Sequence, residues 1–303
     1  VQRSHDPGPK IDSDFTSVLH WFDRTERDLP WRADGVTPWQ ILMSEVMLQQ
    51  TPVVRVEAMW REWVRRWPTP ADLAAATGAD AVRAWGKLGY PRRAMRLHAC
   101  AQAIVAEHAG VVPETVEELL ALPGIGDYTA RAVACFAFGQ DVPVVDINVR
   151  RVLARAVAGD SDAAAPSARR DLAAATEVLE TVPAQRRPRL SAALMELGAL
   201  VCTARSPRCG ECPVHAGCAW LAAGAPEGTV APRKVQKYEG TDRQARGRLL
   251  DVLRAADGAV PRAALDLAWE RDTAQRDRAL DSLLLDGLIE QTDDGRFALS
   301  GEA

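Results

Sequence analysis

Four cysteines, Cys202, Cys209, Cys212 and Cys218, fall within 17 residues of one another. Thiols at that density can converge on one metal centre. Only Cys209 and Cys212 form a Cys-x2-Cys hook, whereas a four-thiolate zinc site usually pairs two well-separated hooks. The irregular, compact spacing suits an iron–sulfur cluster, whose larger body needs wider ligand placement. Zinc stays the alternative on spacing alone. Arg205 and Arg208 lie in the first inter-cysteine loop, either presenting charge to a phosphate or simply solvated. Cys100 and Cys135 sit in helical patterns and read as buried core thiols.

Two carboxylates stand out upstream. Asp146 follows the apolar run Pro143-Val144-Val145 and opens a helix. By itself that is an N-cap, whose oxygen accepts from the first free N–H groups. About 20 residues before it, Leu122-Pro123-Gly124-Ile125-Gly126 joins two helical patterns. Two glycines let the backbone approach a ligand closely, and the N–H groups of the next helix start can hold a phosphate. Asp146 behind such a hairpin becomes a carboxylate beside a bound backbone. Glu45 is the sole acid in the apolar helix pattern from Trp39 to Gln50. A buried carboxyl has a raised pKa and can act as a general acid near neutrality. A structural ion pair with Arg32, in Pro30-Trp31-Arg32, is the plainer reading. Gln49-Gln50-Thr51 ends the helix at Pro52, with side chains that can wedge into a base stack or read base edges.

The elements that must position these residues are mostly helical. Apolar spacing predicts helices over 14–25, 39–50, 53–66, 79–88, 92–109, 116–121, 128–138, 147–157 and 188–201, with 142–145 extended. Gly, Pro and basic residues collect between Ala223 and Gly240, a linker. Beyond it, helices over 242–256, 262–268 and 273–285 precede two short strands around Asp293-Asp294-Gly295. That is a small winged-helix-like unit, a contact module or a packing appendage.

The chain has 303 residues, room for about two domains at roughly 150 each. With 47% hydrophobic and 26% charged residues, the composition excludes wholesale disorder and a disulfide-stapled miniprotein. The net charge of −4 argues against a uniformly basic nucleic-acid binder but not against a local basic face. From Thr241 onward there are 9 Arg against 13 Asp and Glu, while the first 240 residues hold 28 of each sign. Lysine occurs only at 10, 87, 234 and 237. The first 15 residues have no apolar core for a secretory signal, and no stretch approaches a membrane span. A cytoplasmic protein is expected, with cysteines serving as ligands or buried thiols rather than disulfides.

Together these residues resemble the helix–hairpin–helix DNA glycosylase superfamily with an iron–sulfur cluster. The resemblance runs from about Phe15 to Trp220. Within it, Ser44-Glu45-Val46-Met47-Leu48-Gln49-Gln50-Thr51 is most similar to the MutY-type adenine DNA glycosylases. The resemblance implies a mainly α fold of two helical subdomains, a cluster loop and the small C-terminal unit. The implied domains are 14–33 plus 142–222 around the cluster, 34–141 as a six-helix barrel with the hairpin, a linker over 223–240, and 241–303. It implies a 4Fe-4S cluster on Cys202, Cys209, Cys212 and Cys218. It implies a bacterial monomer, nucleoid-associated during repair, acting on double-stranded DNA with adenine opposite 8-oxoguanine or guanine.

The same resemblance assigns roles. Glu45 would protonate the flipped adenine and Asp146 would stabilise the sugar cation, with Tyr128 and Asn148 holding both. Trp31, Arg27, Arg32 and Glu196 would line the adenine pocket, and Leu48, Gln50 and Thr51 would sit in or near the opened stack. Gly124, Ile125, Gly126, Arg150, Arg205 and Arg208 would meet the DNA backbone, with positive charge gathered around Arg131, Arg150, Arg151, Arg205 and Arg208. Bifunctional relatives carry lysine where Tyr128 stands, so a monofunctional enzyme is expected. Alternatives are a thymine-mismatch or oxidised-pyrimidine glycosylase, or a non-catalytic lesion binder. Two departures matter. Pro91 stands where many relatives have a second tyrosine, and the usual C-terminal domain that recognises 8-oxoguanine is replaced. The shortened architecture is similar to that of actinobacterial members.

Overall fold

The computed structural model describes residues 15–228 and 238–302. Residues 1–14, 229–237 and 303, and with them the start of the first expected helix and the middle of the expected linker, lie outside the described residues. In chain order the helices are α1 (Thr16–Thr25), α2 (Pro38–Leu48), α3 (Val53–Arg66), α4 (Pro70–Ala75), α5 (Gly78–Trp85), α6 (Arg92–Glu107), α7 (Val116–Ala121) and α8 (Asp127–Phe138). Then come α9 (Ile147–Leu153), α10 (Ala168–Leu179), α11 (Arg187–Leu200), α12 (Ala219–Ala222), α13 (Asp242–Ala255), α14 (Arg262–Ala268) and α15 (Thr273–Leu285). Strands β1 (Ile289–Gln291) and β2 (Phe297–Leu299) pair antiparallel with Ile289 opposite Leu299. The fold is mainly α. Helices α4, α10 and the short α12 were not anticipated, and residues 142–145 are extended without joining a sheet.

Two compact units emerge. The first holds residues 15–33, 114–116 and 126–228; the second holds 34–113, 117–125 and 238–302. These bounds differ from the division expected from sequence in two places. Residues 126–141 join the first unit, because Ala132 and Cys135 of α8 pack on Val144. The C-terminal helices join the second unit, for reasons given below.

The first unit is built on α1, α9, α10 and α11. Phe15, Val18, Leu19 and Phe22 meet Val149, Val152, Leu190, Leu194 and Leu197, all essentially buried. Gly198 is needed at the α9–α11 contact, since a Cβ there would lie 2.7 Å from both Cβ and the carbonyl oxygen of Asn148. That close approach is what brings the start of α9 up to α11.

The second unit is held by tryptophans. The Trp63 ring meets those of Trp67 and Trp85 edge-on at 4.6 and 5.3 Å. Each indole N–H must find an acceptor when buried. Trp39 donates to the Trp67 carbonyl, Trp60 to Gln40, Trp63 to Ala84 and Trp85 to Gly89. Helix α2 starts in a capping box between Thr37 and Gln40 with Pro38 at its first position. In the same unit, α13, α14 and α15 with the β1–β2 hairpin make the small winged-helix-like assembly, and Val260 bridges to Phe297 as a third, single-residue rung. It docks on α5: Arg83 pairs with Glu302 and donates to the Ala256 carbonyl at 2.8 Å, while Arg254 donates to Val82 at 3.1 Å.

Candidate active site and cluster loop

In the first unit, Asp146 is the N-cap of α9: its Oδ1 accepts from the Val149 N–H at 2.7 Å. The cap is half of its environment. Its Oδ2 accepts from Asn148 Nδ2, also at 2.7 Å. Burial raises the Asp146 carboxyl above its ordinary range, against the pull of Val149, Asn148 and the Arg151 charge. A carboxylate kept ionised there is oriented and poorly solvated, which strengthens its field on a nearby cation. Asn148 is itself fixed, because its Oδ1 accepts from Arg151 at 2.8 Å. The same guanidinium donates to the Gly198 and Cys202 carbonyls, each at 2.7 Å. Arg151 therefore serves as an internal brace instead of adding to a surface charge patch.

Tyr128 lies in the first turn of α8, packed against Ala132, Cys135 and Val144. Before it comes the hairpin. Gly124 adopts φ +77°, and a Cβ there would sit 2.6 Å from Cβ of Arg96, so only glycine fits. Gly126 is the N-cap of α8 and offers no side-chain cap to the first turn. Ile125 is buried between these glycines.

Glu196, on α11 and 1% exposed, accepts both Nε and Nη2 of Arg27 at 2.7 Å and Nη2 of Arg32 at 3.1 Å. Burial opposes its charge, but the Arg27 bonds and the Arg32 charge outweigh it and hold the carboxyl below its usual range. Trp31 is buried beside them in the turn Pro30–Arg32. Arg32 Nη1 is buried and makes no hydrogen bond, with Glu26 the near carboxylate at 3.7 Å. Arg32 thus pairs with Glu196 and Glu26.

In the second unit, Glu45 is 6% exposed among Leu42, Met43, Val46 and Met47 on α2. The helix end beyond it is held by a residue that sequence reasoning passed over. Arg93, 5% exposed, donates from Nη1 to the carbonyls of Val46, Met47 and Gln49 and from Nη2 to Thr51 Oγ1 and the Gly89 carbonyl. Its charge faces the negative end of α2. Burial lowers its pKa to about 10. Leu48 closes the helix, and Gln50 follows exposed at φ +55°, a left-handed conformation strained for its side chain. Thr51 is buried under the arginine.

Several arginines expected on the DNA backbone are otherwise engaged. Arg150 pairs with Asp171 at 2.8 Å, Arg131 with Asp127 at 3.0 Å, and Arg208 with Glu211 at 3.0 Å. Arg205 is exposed. Three of the five expected arginines, Arg131, Arg150 and Arg208, thus have a carboxylate within one turn or on the adjoining helix.

The cysteine loop is wrapped tightly. Cys212 N–H donates to the Cys209 carbonyl, Arg208 N–H to Val201, and Val214 is buried in the first unit's core. Cys202, Cys209 and Cys218 all lie within electrostatic reach of Cys212, whose thiol burial pushes up to about 11. Arg155 Nη1 lies 3.7 Å from Cys202 Sγ, and Trp220 stacks on its far side at 4.9 Å. Among the described residues, no three such side chains close to single-ion geometry. Four thiols in electrostatic reach of one another, with an arginine beside them, fit an iron–sulfur cluster.

A helical fold with a glycine hairpin, a helix-capping carboxylate and a four-cysteine loop defines a base-excision glycosylase of the cluster-bearing class. Residues 43–177 match the HhH-GPD superfamily base excision DNA repair protein family, and 202–218 match the iron–sulfur binding domain of endonuclease III. The fold is similar to a solved thermostable thymine-DNA glycosylase, with TM-score 0.63 and 26% identity over 69% of this chain and 95% of that one. The chain is 63% identical to the adenine DNA glycosylase of Mycobacterium tuberculosis over 97% of its length and 96% of the relative's. Against the human adenine DNA glycosylase it is 41% identical, over 67% of this chain and 38% of that one. The chain belongs to the adenine DNA glycosylase family, and carries that family's iron–sulfur cluster. Among the described residues no helix is long and apolar enough to cross a membrane.

Proposed function

We propose that the protein removes adenine mispaired with 8-oxoguanine or guanine from duplex DNA, hydrolysing the N-glycosidic bond and leaving an abasic site. The observation that carries this reading is Asp146, a half-buried carboxylate held by Asn148 and Val149, in a unit where position 128 is tyrosine and not lysine. Adenine is a poor leaving group, so it must be protonated before it departs, from a flipped-out position. Glu45, buried on α2, donates that proton to the imidazole ring of the purine and then activates water. The ionised Asp146 stabilises the oxocarbenium character of the sugar, by charge or by transient bonding. With no amine at position 128, no Schiff base forms and the strand stays intact.

Arg27, Trp31, Arg32 and Glu196 form the adenine pocket, where the unsatisfied Arg32 Nη1 is a donor for the base. Leu48, Gln50 and Thr51 enter the opened stack. The hairpin Gly124-Ile125-Gly126 meets a phosphate through its glycine backbone, the Ile125 N–H being held by the Leu122 carbonyl, and Arg205 is the arginine of the cluster loop left for another. Arg150 and Arg208, paired within the chain, support that face more than they bind it. Cys202, Cys209, Cys212 and Cys218 hold the cluster, which supplies a rigid cross-link for the loop. The protein acts as a bacterial cytoplasmic monomer at the nucleoid. Its functional domains are the cluster domain (14–33 and 142–222), the barrel (34–141) and the C-terminal unit (241–303), joined by 223–240.

Single-turnover cleavage of duplexes with adenine opposite 8-oxoguanine, guanine or thymine tests the reading. Breaks at adenine that require alkali are expected opposite the first two. Breaks without alkali, or no adenine release from any duplex, would overturn it. Release of thymine from mismatches would favour the nearest alternative.

A further inference from the structure

Helix α6 carries three arginines in its first two turns, and two of them are spent inside the second unit. Arg92 pairs with Asp286 at 3.2 Å, and Arg93 closes the end of α2 and the Gln49–Thr51 turn. The third, Arg96, is exposed and has no carboxylate partner among the described residues. What Arg96 does have is a fixed stem. A Cβ placed on Gly124 would fall 2.6, 3.0 and 3.1 Å from its Cβ, Cγ and Cδ. The three carbons therefore run past the glycine against its backbone and leave no room for a side chain at position 124. Leu97, one residue on, lines the same narrow cleft with Pro123 and Ile125, so α6 and the hairpin meet in apolar contact around that stem. Arg96 also lines a cavity of about 1030 Å³ in the second unit, which gives its head room for a ligand.

An arginine stem laid on apolar surface, with its head in water, would by itself serve to cover the hairpin. Two relationships carry the role further. A side chain whose stem is already ordered has little rotamer freedom left to lose when its head meets an anion. The surface that orders Arg96 is the hairpin, and in the proposed function the anion that meets the hairpin is a DNA phosphate. Arg93 and Arg96, three residues apart, lie on one face of α6. Through the first the helix holds the turn that carries Gln50, and through the second it lies against Gly124. One rigid helix thus sets the spacing between two loops that face DNA.

We infer that Arg96 is a positioning residue for the DNA backbone, its guanidinium taking the same phosphate that the hairpin meets. The inference rests on the proposal that the hairpin meets a phosphate. Gly124 is then glycine for two reasons at once: its own left-handed backbone, and the passage of the arginine that shares its phosphate.

The test uses the full chain and a duplex whose mispaired adenosine is 2′-fluorinated to block hydrolysis, so binding is read apart from activity. Arg96→Met keeps a stem on the hairpin and removes the charge, whereas Arg96→Lys keeps the charge. The Met variant should bind about tenfold more weakly, as loss of one charge-assisted contact predicts, and its log–log salt slope should fall by about one. The loss should be equal on mispaired and undamaged duplex, since a phosphate contact carries no base information. The Lys variant should keep the wild-type slope. Arg61→Met, which breaks only an exposed pair with Glu57 on α3, should bind as the wild type does. Methylphosphonates, which neutralise one phosphate at a time, locate the contact: one position should weaken the wild type and the Lys variant but not the Met variant. An Arg96→Met protein with wild-type affinity, slope and methylphosphonate sensitivity would overturn the inference and leave the hairpin's phosphate standing. A wild type indifferent to methylphosphonates throughout the site would overturn the hairpin's phosphate, and this role of Arg96 with it.

Discussion

Arg151 donates from its Nε to the main-chain carbonyl of Cys202 at 2.7 Å. Through its other nitrogen it also holds Asn148, which holds Asp146. One guanidinium therefore ties the first cysteine of the cluster loop to the orientation of the carboxylate. Partners at one remove from a metal site typically change affinity or activity roughly 10–100-fold. Arg151→Met should lower the single-turnover rate within that range and also lower cluster occupancy, read from visible absorption and iron content. Full occupancy with full activity would show that the brace is redundant.

Asp146→Asn should separate activity from stability. The side chain keeps its shape and its cap on α9, but loses the charge that faces the sugar cation. A loss of roughly 10²–10³-fold is expected for one electrostatic stabiliser. Stability should move the other way. Because burial raises the folded pKa of Asp146, its ionised form disfavours the folded state, and that cost is present above the raised pKa and relieved below it. The variant should thus be no less stable than wild type at neutral pH in urea titrations. The acid limb of the wild-type pH–rate profile should lie above the ordinary carboxylate range. A destabilised Asp146→Asn would show that the cap outweighs the desolvation.

Much of this site was legible in the chain, and the reasons for the rest are physical. The cysteine spacing, the glycine hairpin and Asp146 are local patterns, and local patterns survive in sequence. The N-cap reading of Asp146 holds, and the same carboxyl is also desolvated. Arg93 was invisible because four of its five partners lie more than 40 residues away, and Arg92-Arg93 reads as an ordinary solvated pair. The intrachain pairing of the expected arginines was hidden for the opposite reason. Arg150 and Arg131 look free in sequence, but tertiary contact or the next helical turn supplies Asp171 and Asp127.

Glu196 carries a pH signature. Its folded pKa is held below the usual range, so the stability it contributes is present above the unfolded value and lost as pH falls through the folded one. Glu196→Gln would leave Arg27 and Arg32 uncompensated. Breaking a fully buried pair costs roughly 3–5 kcal/mol. Arg27 is about a third open to water, which reduces the expectation to about 2 kcal/mol at pH 7. The gap between wild type and variant should close on acidification below the ordinary glutamate range. A gap independent of pH would mean that shape, not charge, is what Glu196 provides.

Arg93 is the more exposed test of how α2 is held. Its five bonds satisfy the carbonyls at the helix end and join the Gln49–Thr51 turn to Gly89. Arg93→Met fills similar space but leaves those buried acceptors unpaired, at a cost of roughly 3 kcal/mol or more. Arg93→Lys keeps the charge yet replaces a planar fork with a single ammonium, which cannot reach Val46, Thr51 and Gly89 together. Both variants should lose stability in urea, Met more than Lys. The turn that carries Gln50 would then relax from its strained backbone. At temperatures where each variant is fully folded, binding to an adenine mispair should still weaken, while binding to undamaged duplex changes little. Equal losses on both duplexes would show that the clamp supports the fold alone and does not set the geometry of the turn.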